Sequence, residues 1–284
     1  MRAYIKLIRP KHSVKNLLVF MPLLFSGLLT SSGKLASAVV GFLAFTLVAS
    51  VVYILNDIRD RDLDKLHPRK KYRPIASGTV KVGGAYVFGS VLFCCAIALQ
   101  LIVHGSIASF GLLFGYLAIN IAYSMGLKNI PIVDIVILSA GFLIRVLYGG
   151  EIVSVEVSQW LCLVVLAFSI YLSLGKRHGE IKTGAGTSRK VNQFYDQNFL
   201  DKNMYVCLAL TIVFYSLWVV EVSAKQHPLL FWTIPLVIVT VMLYSFDIEK
   251  PNVDADPSSV LFGDKALLSL AVIYGLSVIG IMYF

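Results

Sequence analysis

The chain alternates between long apolar runs and short polar connections. The runs fall near residues 14–31, 36–56, 83–103, 106–125, 131–150, 157–175, 204–223, 228–246 and 264–284. Each is close to the roughly 20 residues an α-helix needs to cross the hydrocarbon of a bilayer. None shows sustained period-two alternation, so a closed β-barrel is excluded. The pattern predicts an all-α integral membrane protein with nine transmembrane helices. No small-residue cleavage site follows the short basic N-terminal segment, so a removable signal peptide is not expected.

Composition agrees with this pattern. The 284 residues are 57% hydrophobic and 14% charged, against about 45–50% and about 25% in soluble proteins. Cys94, Cys95, Cys162 and Cys207 lie inside apolar runs without metal-type pairing, and are expected to pack as small residues.

Charge gives the orientation. With the N-terminus in the cytoplasm, 22 of the 25 Lys and Arg fall on that side; Lys34 and Lys225 fall opposite, and Arg145 lies inside a span. The positive-inside rule then puts the N-terminus in the cytoplasm and, with nine spans, the C-terminus outside. The longer polar connections, 57–82, 176–203 and 247–263, share the cytoplasmic side. Basic loops alone set topology and attract anionic lipid, which leaves the aspartates beside them unexplained. Chemistry is therefore expected at the cytoplasmic face of the cell membrane. A span running into a charged connection at 56–82 is faintly echoed at 176–203. A single domain over 1–284 is expected, with possible internal duplication of helices 1–4 and 5–8 plus helix 9.

The candidate chemistry begins at Asn56-Asp57-Ile58-Arg59-Asp60-Arg61-Asp62-Leu63-Asp64. On a continuous helix, Asp57, Asp60 and Asp64 share one face, while Asp62 points elsewhere, into solvent. Like charges at the mouth of a span are costly unless something positive binds them. Mg²⁺ favours one or two carboxylates plus phosphate oxygens and water. Asp57, Asp60 and Asp64, with Asn56 as a neutral oxygen donor, are thus a candidate Mg²⁺–diphosphate site. His67 to Arg73 is rich in cations, and Arg73 before Pro74 is a candidate for bidentate phosphate contact. Arg145, alone in a span, is expected to face a polar cavity or a partner; Asp134, eleven residues earlier, lies on a similar helical face. No histidine–carboxylate pair suited to general-base work is evident, since His12, His67 and His178 sit in basic surroundings. A transporter has no obvious second gate in so one-sided a chain.

The pattern N-D-x-x-D-x-x-x-D after the second span, followed by Arg73-Pro74-Ile75-Ala76-Ser77-Gly78, resembles the UbiA superfamily of intramembrane prenyltransferases. Tyr123-Ser124-x-x-Leu127-Lys128 resembles the same family. The resemblance covers most of the chain. It implies a nine-helix UbiA-type bundle with a cavity opening to the cytoplasm, and Mg²⁺ bound through diphosphate. The second half departs from the aromatic prenyltransferases. Where they carry a second aspartate motif, this chain reads Ser173-Leu174-Gly175-Lys176-Arg177-His178-Gly179-Glu180. A Lys176–Arg177 pair there suits phosphate; the plain alternative is a Lys176–Glu180 ion pair worth only about 0.3–0.5 kcal/mol.

Arg9-Pro10-x-x-x-x-Lys15-Asn16, Gly175-Lys176-Arg177-x-x-Glu180 and Gly141-Phe142-Leu143-Ile144-Arg145-x-x-x-Gly149-Gly150 together resemble one branch, decaprenyl-phosphate phosphoribosyltransferase and its relatives. That branch implies transfer of a phosphoribosyl group from 5-phosphoribosyl-1-diphosphate to a polyprenyl phosphate, in cell-envelope pentose metabolism. Lys15, Asn16, Arg73, Tyr123, Lys128, Asp134, Arg145, Lys176, Arg177 and Glu180 are the substrate-binding candidates, with Asp247 for ribose hydroxyls. The alternative is prenyl transfer from a polyprenyl diphosphate to an aromatic or quinone-precursor acceptor. No nucleic-acid partner is expected.

Overall fold

The computed structural model of the protein describes residues 2–66, 70–182, 190–223, 227–250 and 256–284. Among them there is no strand. The helices are α1 (Arg2–Ile8), α2 (Met21–Phe25), α3 (Ser32–Arg59), α4 (Arg61–Leu66), α5 (Val82–Ile102), α6 (Ile107–Met125), α7 (Val133–Val153), α8 (Gln159–Lys182), α9 (Gln197–Ser223), α10 (Thr233–Glu249), α11 (Pro257–Gly263) and α12 (Lys265–Tyr283). Eight segments are long and apolar enough to cross a membrane: α3, α5, α6, α7, α8, α9, α12, and α10 with the preceding turn from Pro228. The protein is a multi-pass membrane protein.

Two expectations are revised. The run at 14–31 is not one long α-helix: Pro10–Phe20 is a 3₁₀ helix, and α2 adds five residues. The apolar helix there, His12–Phe25, is shorter than the other spans. Hydropathy measures only greasiness, and does not separate 3₁₀ from α backbone. The connection expected to begin at residue 176 begins later, because α8 continues through Lys182. Lys176, Arg177 and Glu180 are therefore helical, which brings residues three apart onto one face.

The chain divides into two compact units, residues 1–127 with 144–156, and residues 128–143 with 157–284. In the first, α3 packs on α5, α6 and the 3₁₀ helix around Val19, Leu23, Phe45, Val48, Tyr116, Tyr148 and Ile152. Contact there is close. A Cβ on Gly149 would lie 2.1 Å from the Val19 carbonyl oxygen, so only glycine permits the approach. Helix α6 starts on Ser106, whose Oγ accepts from the Ser109 N–H at 3.0 Å. It stops at Gly126, whose φ of 153° strains any other residue.

The second unit is built on α8 against α9, with α10 against α9 and α12. Its core holds Tyr171, Leu174, Val191, Leu200, Met204, Tyr244, Ile248 and Leu267. Asp264 caps α12, accepting from the N–H groups of Ala266 and Leu267 at 2.7 and 3.1 Å. Those hydrogen bonds, and then Lys250 beside it, hold the Asp264 carboxyl below its usual range.

Candidate functional site

The acidic cluster of the first unit straddles a joint. Helix α3 ends at Arg59, Asp60 turns the chain with φ −85° and ψ 3°, and α4 begins at Arg61. The three aspartates therefore do not lie on one continuous helix, as their spacing predicts. Helical spacing nonetheless carries across the joint, because Asp60 N donates to Asn56 O and Asp64 N to Asp60 O, both at 2.8 Å.

The result is a shared clasp. Arg73 Nη1 donates to Asp57 Oδ1 at 3.0 Å and to Asp64 Oδ2 at 2.7 Å. Arg9 Nη2 donates to the same Asp57 oxygen. Both aspartates are buried, 3% and 4% exposed, while the side chains of Arg9 and Arg73 are 19% and 26% exposed. Asp60 is half-buried at the joint. Asn56 Oδ1 accepts from Ser124 Oγ at 3.1 Å, so α6 fixes its amide. Asp62 is exposed as its position predicts, bonded to Lys65 at 2.9 Å; that bond, and then Arg61, lower its pKa. His67 to Arg69 lie outside the described residues.

Arg9 is the residue that spacing did not single out. It sits in left-handed backbone at φ 52°, just before Pro10 starts the 3₁₀ helix. Non-glycine residues are uncommon there and are held by their surroundings. Here those are Asp57 and the Tyr53 ring, whose centroid is 5.0 Å from the guanidinium carbon.

Asp57 and Asp64 suit a hard divalent cation. They offer carboxylate oxygens close enough for one nitrogen to bond both, and no soft ligand competes among these residues. Mg²⁺ fits such a donor set.

Arg145, 5% exposed, is held in the same unit. Its Nε donates to Asn16 Oδ1 at 2.8 Å and Nη2 to the Tyr116 hydroxyl at 2.9 Å. Asn16 in turn donates to Thr46 at 3.0 Å, and the guanidinium lies over the rings of Phe45 and Tyr116. Asn16 and Arg145 are thus brought together, far apart in sequence. Lys15 and Tyr123 are half-buried.

In the second unit the charge order is inverted. Arg177 is fully enclosed; its Nε donates to Asp134 Oδ2 at 2.7 Å and Nη1 to Glu180 Oε2 at 2.6 Å. Asp134, also fully enclosed, accepts from Tyr195 OH at 2.6 Å through its other oxygen. Asn192 Nδ2 donates to Glu180 at 3.0 Å. Burial, and then the bond to Asp134, push the Tyr195 hydroxyl well above its usual pKa. Arg177 therefore faces carboxylates rather than an open phosphate site, because α8 turns it inward. Glu180 pairs with Arg177. Lys176 is the more accessible cation, 3.4 Å from Asp256. Lys128 is half-buried on the turn Leu127–Asn129. Asp247 is 3% exposed; Lys250 bonds its Oδ1, while its Oδ2 and the Tyr244 hydroxyl are buried without partners. Residues 251–255 of the connection lie outside the described residues.

One expectation fails outright. His178 is not in wholly basic surroundings: its Nε2 lies 3.3 Å from Asp201 Oδ1 and 3.7 Å from Glu249 Oε1. Its neighbours come from α9 and α10, which local sequence does not reveal.

The profile of the UbiA prenyltransferase family matches residues 19–265. The chain is 30% identical to a decaprenyl-phosphate phosphoribosyltransferase of Corynebacterium glutamicum, over 98% of this chain and 86% of that protein. It is 30% identical to the protein of that name from Mycobacterium tuberculosis, over 94% and 90%. The fold matches a UbiA homolog from Archaeoglobus fulgidus, solved bound to DMAPP and Mg²⁺, with a TM-score of 0.75 at 20% identity, covering 98% of this chain and 99% of that one. By the extent of the family match and of these relatives, the chain belongs to the UbiA prenyltransferase family.

Proposed function

We propose that the protein transfers a 5-phosphoribosyl group from 5-phosphoribosyl-1-diphosphate to a polyprenyl phosphate, releasing diphosphate, at the cytoplasmic face of the cell membrane. The observation that carries this reading is the near-full-length likeness to relatives named for that reaction. The clasp in the first unit supports its diphosphate half. Asp57 and Asp64, with Asp60 and Asn56 beside them, would hold Mg²⁺. When bound, the ion neutralises charge on the departing diphosphate.

The residues of the chain do the rest. Arg9 and Arg73 are poised on the aspartates and carry guanidinium forks suited to phosphate oxygens. The C1–O bond to diphosphate breaks with its electron pair leaving on that group. A lipid phosphate oxygen forms the new bond to C1, with inversion. That oxygen is already anionic, so no general base is needed. Lys15, Lys128 and Lys176 are the cations for the lipid phosphate and the 5-phosphate. Arg177 acts by holding Asp134, Glu180 and Tyr195 in place, and Arg145 by ordering Asn16 and Tyr116. Tyr123 offers its hydroxyl to the substrate, and Asp247 would accept from ribose hydroxyls.

The test uses membranes containing the protein, labelled 5-phosphoribosyl-1-diphosphate and polyprenyl phosphate. Label is expected in the lipid extract, lost on chelation and lost in Asp57→Asn. Prenylation of an aromatic acid with no labelled lipid would replace this reading with prenyl transfer.

A further inference from the structure

We infer that the second unit carries a separate site for a first-row divalent cation of the Zn²⁺ type, formed by His178, Asp201 and Glu249. The three ligand atoms come from α8, α9 and α10 and lie within 4.8 Å of one another. Their spacing is wider than that of a close ion pair. A charged imidazole bonded to a carboxylate sits at about 2.7–2.9 Å; here the separations are 3.3 and 3.7 Å. Two ligands about 2.0–2.1 Å from one tetrahedral ion stand about 3.3–3.4 Å apart. The His178–Asp201 separation matches that figure, and the His178–Glu249 separation is slightly wider.

A second observation points the same way. The His178 side chain is 4% exposed, its Nε2 is aimed at the two carboxylates, and its Nδ1 has no hydrogen-bond partner. A neutral imidazole nitrogen such as Nε2 is a favoured ligand for Zn²⁺. Glu249 is prepared as well. Lys182 donates to its Oε2 at 2.6 Å and to its backbone oxygen at 2.7 Å, which orients the carboxylate and leaves Oε1 toward His178. Such outer bonds order metal ligands. Asp201 and Glu249 are 40% and 54% exposed, which gives an ion an entry path and leaves room for water as a fourth ligand.

The donor set differs from that of the clasp. Imidazole nitrogen favours Zn²⁺, whereas the all-oxygen set of Asp57 and Asp64 favours Mg²⁺. The ion would staple α8, α9 and α10 together one residue from Arg177.

The experiment is equilibrium dialysis of chelator-stripped protein in detergent against Zn²⁺ in millimolar Mg²⁺, with metal analysis and a melting curve. One Zn²⁺ per chain is expected, together with a higher melting temperature. Asp201→Asn and Glu249→Gln should each weaken binding by roughly tenfold or more, and His178→Gln should abolish it. Asp57→Asn should bind Zn²⁺ as the wild type does. Both carboxylates are exposed, so their variants remain informative if His178→Gln fails to fold. Equal Zn²⁺ binding by wild type, Asp201→Asn and Glu249→Gln would overturn the site. So would no binding by the wild type. Loss of binding in Asp57→Asn would assign the ion to the first unit instead. None of these outcomes depends on the transferase reaction.

Discussion

The two units solve opposite electrostatic problems. In the first, two buried carboxylates are covered by arginines that are partly exposed. In the second, one enclosed arginine is held by an enclosed carboxylate and a partly exposed one. A charge whose partner reaches solvent can exchange that partner for a ligand. A charge enclosed together with a partner, as Arg177 is with Asp134, cannot exchange that partner, because separating them strands an ion in a medium of low dielectric. The clasp at Asp57 therefore has the character of a binding site, and the network at Arg177 that of a frame.

The sharpest way to break that contrast is Arg177→Met. It strands Asp134, and is expected to destabilise the fold by about 3–5 kcal/mol, read from a melting curve; adding Asp134→Asn should recover part of the loss. An unchanged melting temperature for the single variant would remove the frame. Next comes Asp57→Asn, expected to lower turnover by about 10²–10³-fold while the melting temperature holds. Collapse of the fold instead would make the clasp a frame too. Gly149→Ala tests whether the first unit is equally unforgiving away from its charges. Its Cβ would meet the Val19 carbonyl, and about 1–3 kcal/mol of destabilisation is expected. Arg73→Lys keeps the charge and loses the fork; KM for the diphosphate substrate should rise by roughly tenfold, about 1.4 kcal/mol, with kcat nearly unchanged. The smallest effect is at Asp264. Its folded pKa is depressed, so its contribution is present above the usual carboxylate range and lost as pH falls through the folded value. Asp264→Asn should flatten that acid limb in unfolding measured against pH.

Hydropathy alone made the long spans legible, because α3, α5 to α10 and α12 are apolar over lengths that fit a bilayer. It failed on residues 14–31 because Pro10 and Pro22 shorten the α-helical segment without making it polar. The acidic half of the candidate site was legible because Asp57, Asp60 and Asp64 are close in sequence. Arg9 was not, since its reach depends on a left-handed backbone and on a partner 48 positions away. The inward turn of Arg177 was hidden for the same reason: Asp134, Tyr195 and Asn192 have no local spacing that links them to it. His178 was misjudged because its carboxylates stand on other helices.

The joint at Asp60 bears on ion choice. A rigid helix would set the distance between Asp57 and Asp64 by its pitch alone. Here the two carboxylates belong to separate helices, so the gap between them opens or narrows with one pair of backbone angles. Selection among Mg²⁺, Mn²⁺ and the larger Ca²⁺ then becomes a property of a hinge. A substitution that bends it should retune preference for ionic radius without altering a ligand.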